Sequence, residues 1–173
     1  PLVARGGFIS INISPRHFQY EDFDQRLLEL LRETGFAPER LRIEVTEGTL
    51  LGDPDAVARI LERLQAAGVS AALDDFGTGY SSLSYVHRFP LKKIKIDRSF
   101  IRDLGQENAQ RSLAIIHAVL SLARSLDMSV VAEGVETEAQ RQALLEIGCQ
   151  RAQGFLFGRP QPAAYWLEPD GKA

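Results

Sequence analysis

The sequence predicts an α/β fold of the TIM-like (β/α)₈ type, and two patterns lead to that prediction. Short apolar, β-branched runs alternate with amphipathic helical stretches along the chain, which is the order that produces βαβ units and a parallel sheet. Nearly every apolar run ends in a side chain that can bind a metal ion or move a proton. The carboxyl ends of barrel strands converge on one mouth, whereas those of an open sheet spread along a line. We therefore favour a barrel.

Six apolar runs are the predicted strands. They are Phe8–Ser14, Leu41–Thr46, Ser70–Leu73, Lys93–Ile96, Ser129–Ala132 and Gly154–Phe157. A complete barrel has eight strands, so we expect an incomplete barrel that lacks about two N-terminal strand units. The first residue is Pro1 and not methionine, and we expect residues 1–173 to form one domain that is truncated at its N-terminus. Because such an arc has two unpaired sheet edges, upstream sequence or a partner chain should complete it.

Helices are predicted between these runs from apolar side chains at helical spacing. They run from Asp22 to Thr34, from Asp53 to Gly68, from Ser112 to Leu126 and from Thr137 to Ile147, with a shorter helix from Ser81 to Arg88. Asp53 followed by Pro54 is a typical helix start, and Thr137 with Gln140 has the spacing of a capping box. Gly35 follows the first helix where a C-terminal cap is expected.

Composition and charge exclude several classes of protein. A hydrophobic content of 45% and a charged content of 25% are typical of a globular domain. A net charge of −3 argues against binding to polymeric nucleic acid. The single cysteine, Cys149, excludes an internal disulfide framework and fits a reducing compartment. No apolar run approaches the roughly 20 residues of a membrane span, so we expect no membrane contact from this segment.

The polar residues at the predicted strand ends are mostly carboxylates and amides. They are Asn12, Glu44, Glu47, Asp74, Asp75, Lys95, Asp97, Glu133, Glu136 and Gln153. Oxygen ligands without histidine or cysteine favour hard cations such as Mg²⁺, Ca²⁺ and Mn²⁺. Carboxylates crowded into one mouth repel one another unless cations neutralise them. Two metal ions roughly 3.5–4 Å apart, with a bridging aspartate, are the usual arrangement for phosphate-ester hydrolysis.

These assignments have simpler alternatives at the level of the residues. Asp74 and Asp75 could form a solvated turn, and Gln153 could be purely structural. Lys95 alternates with Ile94 and Ile96, so it could lie on the outward face of a half-buried strand. The residues are also compatible with a Mg²⁺-dependent lyase or racemase in which Lys95 is the base.

Six segments together resemble the EAL-domain family of cyclic di-GMP-specific phosphodiesterases. In chain order they are NIS at Asn12–Ser14, EVTE at Glu44–Glu47, DDFGTGYSSL at Asp74–Leu83, KIDRSF at Lys95–Phe100, AEGVET at Ala132–Thr137 and QGFLFGRP at Gln153–Pro160. The resemblance implies a TIM-like barrel that hydrolyses cyclic di-GMP to linear pGpG at a two-metal site. It implies Mg²⁺ or Mn²⁺ as the cofactor, and Ca²⁺ as an ion that occupies the site yet inhibits.

The resemblance also implies roles for the matched residues. The implied metal ligands are Asn12, Glu44, Asp74, Asp75, Asp97 and Glu133. The implied catalytic residues are Lys95, Glu133 and Asp75. Of these, Asp75 would bridge the two ions and Lys95 would position the nucleophilic water, while Glu133 would be either the general base or a ligand of the second metal.

Further matched residues would act behind these ligands. Gln153 and Glu136 would lie on the substrate side or support the ligands. Glu47 would fix the loop after the third strand, which in this family couples the metal site to the dimer interface. The loop residues concerned are Phe76, Gly77, Thr78 and Gly79.

The chain contains no Glu-Ala-Leu sequence, although the family is named for one whose glutamate is a metal ligand. An alternative function is therefore a catalytically inactive cyclic di-GMP-binding effector or regulatory domain. The resemblance further implies cyclic di-GMP as the ligand, a homodimer, and an upstream sensory or GGDEF-type domain. It implies a cytoplasmic location in bacteria, including as the cytosolic part of a larger protein.

Overall fold

The computed structural model describes residues 7–77, 86–106, 109–162 and 165. Within these residues, five parallel strands form one sheet in the order in which they occur along the chain. They are β1 (Ile9–Asn12), β2 (Leu41–Thr46), β3 (Ser70–Phe76), β4 (Leu91–Ile96) and β5 (Ser129–Ala132). This order is that of successive βαβ units, and the sheet is a partial (β/α)₈ barrel.

The helices confirm the periodicity in the sequence. Those of the described residues are α1 (Phe23–Thr34), α2 (Glu47–Leu51), α3 (Pro54–Ala66), α4 (Arg98–Arg102), α5 (Gln110–Ser125) and α6 (Glu138–Glu146). The Asp53 side chain caps α3, and Thr137 and Gln140 form both halves of the capping box of α6. Most of the predicted helix from Ser81 to Arg88 lies outside the described residues. No helix in the described part of the chain is both long enough and apolar enough to cross a bilayer.

Two short helices, α2 and α4, are not predicted by the sequence analysis. Each has five residues and begins directly after, or one residue after, the end of a strand. A five-residue segment is too short to display a 3.6-residue repeat, so no periodic signal precedes it.

Alternate residues of each strand face the helices and form the core. Ile43 and Val45 of β2 are fully buried, as is Ile94 of β4. The residues between them carry charge and lie on the other face of the sheet, because successive side chains of a strand point in opposite directions. Glu44 and Lys95 occupy such positions, so the sheet separates an apolar helical layer from a charged inner face.

The sixth predicted strand, Gly154–Phe157, is wrong. The backbone contact next to β5 is an isolated bridge between Ala132 and Ala152, and residues 154–157 form a bend and turn. The chain folds back around Val135, whose N–H donates to the Gln153 carbonyl at 3.0 Å. A Cβ at Gly154 would lie 2.2 Å from the Val135 carbonyl oxygen. The glycine therefore permits a close backbone approach that no other residue allows.

An ion pair with a buried carboxylate joins the first two long helices. Asp24 of α1 is 1% exposed, and its Oδ2 lies 2.6 Å from Nε of Arg63 on α3. A second hydrogen bond of 3.2 Å links Arg63 Nη2 to Oδ1. This two-point geometry satisfies both carboxylate oxygens and fixes the two helices relative to each other.

Candidate metal centre

Lys95, near the carboxyl end of β4, is surrounded by carboxylates on β2, on β3 and directly after β5. Its Nζ lies 2.5 Å from Glu44 Oε2, 2.9 Å from Asp74 Oδ1 and 2.8 Å from Glu133 Oε1. We call these four residues the Lys95 cluster. Lys95 is only 7% exposed, so the reading of this residue as the outward face of a half-buried strand is wrong. The cluster brings together residues that the sequence places up to 89 positions apart, from 44 to 133.

The charges of the Lys95 cluster do not balance. Burial disfavours the ammonium, but hydrogen bonds to Glu133, Glu44 and Asp74 outweigh that effect and raise the pKa of Lys95. Burial raises the pKa of Glu133; Lys95 opposes the rise, and the carboxylates of Asp74 and Glu44 add to it. Three carboxylates share one ammonium, so acidic groups outnumber the basic group of the cluster by two. A divalent cation would offset such an excess.

Asp74 and Asp75 can both serve this site because β3 bulges between them. Leu73 pairs with Ile94 and Phe76 pairs with Ile96, so two residues of β3 lie opposite the single residue Lys95. Asp75 has φ 53, in the left-handed region. Adjacent side chains of a regular strand face opposite ways, and a bulge re-aims one of them. We call this feature the Asp74–Asp75 bulge.

The result of the bulge is a group of carboxylates with the spacing of a metal site. One oxygen each of Asp74, Asp75 and Glu133 lie within 4.8 Å of one another. Asp75 is more exposed than Asp74; partial burial and the nearby carboxylates of Asp74 and Asp97 raise the pKa of Asp75. The alternative of a plain solvated turn does not account for this shared geometry.

Asp97 lies beside the group and caps α4. Its Oδ1 accepts a hydrogen bond of 2.9 Å from the Ser99 backbone N–H. Burial acts to raise the pKa of Asp97, but the hydrogen bonds from Ser99 and Arg98 and the charge of Arg98 outweigh it, so the pKa is lowered. Asp97 therefore favours the ionised state next to a carboxylate, Asp75, that favours protonation more than usual.

Asn12 is placed next to the cluster by strand register. It ends β1 and pairs with Glu44 of β2, and its side chain is exposed. The ligand roles of Asn12 and of the carboxylates stay predictions.

A cavity of about 570 Å³ opens beside these residues. Asp75, Asp97 and Glu133 line one side of it, and the predicted substrate-side residues Gln153 and Glu136 line another. A larger cavity of about 880 Å³ lies between α1 and α3 and includes none of the predicted site residues. The smaller cavity is the candidate site because it adjoins the carboxylate group.

Two arginines at or near this cavity, Arg98 and Arg159, are missed by the sequence analysis. Arg98 and Phe155 line it, and the Arg159 guanidinium lies 4.5 Å from the centre of the Phe155 ring. The sequence analysis assigns no role to the two arginines, although both lie within the motifs that carry the resemblance. From the sequence, Phe155 is compatible either with core packing or with stacking on a guanine base. Its position follows from the turn at 154–157, which periodicity does not report.

Glu47 contacts the segment after β3, as predicted. Its Oε1 accepts a hydrogen bond of 2.7 Å from the Gly77 backbone N–H. Phe76 is buried, whereas Thr78 and Gly79 lie outside the described residues. The proposed coupling from this loop to a dimer interface stays a prediction.

Comparison with known proteins agrees with the motif pattern. The family model described as the EAL domain matches residues 4–160. The bifunctional diguanylate cyclase/cyclic di-GMP phosphodiesterase MucR of Pseudomonas aeruginosa is 45% identical over 92% of this chain and 23% of its own length. The PaMucR phosphodiesterase solved as a c-di-GMP complex aligns with a TM-score of 0.87 and 44% identity, over 96% of this chain and 68% of that one.

A second solved structure is that of BlrP1 from Klebsiella pneumoniae with manganese and cyclic di-GMP. It aligns with a TM-score of 0.80 and 37% identity, over 88% of this chain and 39% of that one. The chain spans 23% of the length of MucR and 40% of that of another relative, the cyclic di-GMP phosphodiesterase RocR of P. aeruginosa. With the family model covering most of its residues, the chain belongs to the EAL domain family.

Proposed function

We propose that this chain is the catalytic part of a metal-dependent phosphodiesterase that hydrolyses cyclic di-GMP to linear pGpG. The observation that carries the proposal is the Lys95 cluster together with Asp75, at the edge of a cavity of about 570 Å³. The names of MucR and RocR and the solved PaMucR complex support the choice of substrate.

The donor set fits hard divalent cations. Asp74, Asp75 and Glu133 offer only oxygen atoms, close enough together to share an ion, and carboxylates outnumber cations around them. Mg²⁺ or Mn²⁺ would be held by these residues, with Glu44, Asn12 and Asp97 at the margin. Such ions supply charge neutralisation and lower the pKa of bound water in phosphate-ester hydrolysis. We expect Ca²⁺ to bind yet inhibit, because its coordination is larger and looser than that of Mg²⁺.

The chain's own side chains would divide the remaining work. The Lys95 ammonium offsets part of the charge of three carboxylates and would orient the attacking water. Glu133 either completes the ligand set or accepts a proton from that water, and its raised pKa makes it a stronger base for that proton. Phe155 offers an exposed ring against which a guanine base could stack, with Arg159 beside it.

We infer the wider setting from the same relatives. MucR is longer than this chain and carries a diguanylate cyclase activity in its name, which supports an additional domain of the GGDEF type. A homodimer and a cytoplasmic location in bacteria belong to the same proposal, since the substrate is a nucleotide second messenger. The contiguous core supports the treatment of residues 1–173 as part of one domain.

The test is hydrolysis of cyclic di-GMP by the complete natural protein, with pGpG separated by chromatography. We expect turnover with Mg²⁺ or Mn²⁺, none with EDTA, and less with Ca²⁺. Binding of the dinucleotide without any turnover in Mg²⁺ and Mn²⁺ would instead favour an inactive effector domain. No binding and no turnover would contradict both readings.

A further inference from the structure

The Asp74–Asp75 bulge needs a support outside the metal centre. Its left-handed residue, Asp75, is more exposed than Asp74 and sits among like charges, both of which work against a fixed geometry. Non-glycine residues with positive φ persist when the surrounding structure holds them in place. Neighbouring residues must therefore hold Asp75 in this conformation.

The residues directly after the bulge are held from two sides. Phe76 is 3% exposed and pairs with Ile96 of β4. The next residue, Gly77, has φ 96 and donates its backbone N–H to Glu47, at the start of α2. These contacts fix the bulge to β4 on one side and to the start of α2 on the other.

The ring of Phe100 closes the remaining side of Gly77. A Cβ built on Gly77 would lie 2.8 Å from Phe100 Cε2 and 3.0 Å from Cζ, so the ring packs directly on the glycine. Phe100 belongs to α4, whose N-cap is Asp97. It lies neither in the carboxylate group nor in the lining of the 570 Å³ cavity. Through this contact, the end of β3 is pressed against the element that carries Asp97.

We propose that Phe100 is a positioning residue whose ring, packed on Gly77, holds the Asp74–Asp75 bulge so that both carboxylates face one divalent cation. The inference rests on the proposed function for the identity of the cation but not on turnover. Phe100 acts through Gly77 and is not itself a member of the carboxylate group. Loss of the ring frees the bulge to relax and separates oxygens that now lie within 4.8 Å of one another.

The first experiment measures Mn²⁺ binding by titration calorimetry without nucleotide, on the complete natural protein and its Phe100→Leu variant. We expect Mn²⁺ affinity to fall about tenfold or more, the size typical of lost support behind metal ligands. The matched control is Phe18→Leu, a buried phenylalanine that contacts Phe23 and lies outside the site. Thermal melting curves of the parent and both variants identify a temperature at which all three are folded, and the Mn²⁺ affinities are compared at that temperature.

A second variant separates positioning from a general packing loss. Gly77→Ala places a methyl group against the ring, and we expect it to weaken Mn²⁺ binding. Because the alanine already breaks the contact with the ring, addition of Phe100→Ala to Gly77→Ala should cause a smaller further loss of Mn²⁺ affinity than Phe100→Ala causes in the parent. If the ring only adds stability, Phe100→Leu will bind Mn²⁺ as the parent and Phe18→Leu do; if the ring acts independently of Gly77, the losses of Mn²⁺ affinity from the two changes will add. Either result overturns the inference.

The outcome is independent of that of the proposed function. Mn²⁺ binding that weakens in Phe100→Leu, in a protein that does not hydrolyse cyclic di-GMP, supports the positioning role and contradicts the activity. Hydrolysis by the parent, with Mn²⁺ affinity unchanged in Phe100→Leu, supports the activity and overturns the positioning role.

Discussion

Two sites in the part of the chain that the structure describes bury carboxylates, and they differ in how the charge is balanced. Between α1 and α3, Asp24 meets Arg63 in a two-point ion pair with one charge of each sign. At the strand ends, three carboxylates share the single ammonium of Lys95. The first site is complete without a ligand, whereas the second keeps an excess of negative charge. Burial of an acid is therefore a poor indicator of function, and its charge balance is a better one.

The largest expected effect comes from the unbalanced site. Asp74→Asn or Glu44→Gln should abolish turnover and weaken Mn²⁺ binding with little loss of fold, because each removes a ligand oxygen's charge and also relieves repulsion. The matched control is Asp24→Asn, which should lower stability by about 1–3 kcal/mol, since a buried hydrogen-bonded charge is lost, and leave Mn²⁺ affinity unchanged. Calorimetry and urea unfolding compare the three variants. An equal loss of unfolding free energy in the variants of both sites would contradict the expected difference between the balanced and the unbalanced site.

Lys95→Met should separate catalysis from cation binding. Removal of the ammonium leaves Glu44, Asp74 and Glu133 with more uncompensated negative charge, so Mn²⁺ affinity should not fall. Turnover should be lost, because the group that would orient the attacking water is gone. Melting temperature without metal should decrease, and added Mn²⁺ should raise it more than in the parent. A variant that loses Mn²⁺ binding would mean that Lys95 organises the ligands and does not merely share their charge.

The stability of the metal-free protein should depend on pH in the way that the raised pKa of Glu133 dictates. Because burial raises the pKa of Glu133, the folded state retains its proton at pH values where the unfolded state, with a pKa of about 4.3, has lost it. Stability of the metal-free protein should therefore increase as pH falls through the raised pKa, down to the unfolded value. Unfolding in EDTA across this range tests it, and Glu133→Gln should remove that increment.

A smaller effect is expected from the support of Gly77. Glu47→Ala removes the acceptor of the 2.7 Å hydrogen bond, whereas Glu47→Gln keeps an oxygen in the same place. Turnover should fall in the alanine variant and stay closer to the parent in the glutamine variant. The oligomeric state of both, measured by light scattering, tests the predicted coupling to a dimer. Unchanged rate and assembly in Glu47→Ala would refute the coupling.

The smallest effect should come from a buried group outside both sites. Cys149 is 3% exposed, and burial raises the pKa of its thiol. Cys149→Ala should leave turnover unchanged. In the folded parent, alkylation by iodoacetamide near pH 8 should be slow and should become fast in denaturant, as followed by mass spectrometry.

Sequence reasoning works best where a pattern is local. The strand Leu41–Thr46 and the start of α3 at Pro54 are confirmed because periodicity and capping depend on neighbouring residues. The charged strand ends predict that Glu44, Asp74, Lys95 and Glu133 should meet, since parallel strands share a direction. Their meeting is confirmed, although their roles are not yet tested.

The features that the sequence does not predict depend on contacts between distant segments. The Asp74–Asp75 bulge is defined by the register of β3 against β4, and the same letters in a regular strand would place the two carboxylates on opposite faces. Gly154 begins an apolar run that looks like a strand, yet its backbone packs on Val135. In both cases the local conformation is set by a contact with a segment that is distant in the sequence.

The geometry of the Lys95 cluster also makes it a reporter of folding. Its members come from four strand ends, and Lys95 and Glu44 alone are 51 positions apart, so the site assembles only when these strands have paired. A divalent ion held there binds the native chain and not the unfolded one, and mass action then ties melting temperature to ion concentration. The same ion would crosslink the strand ends of the sheet. Its removal by a chelator would therefore destabilise the strand ends before the helices unfold.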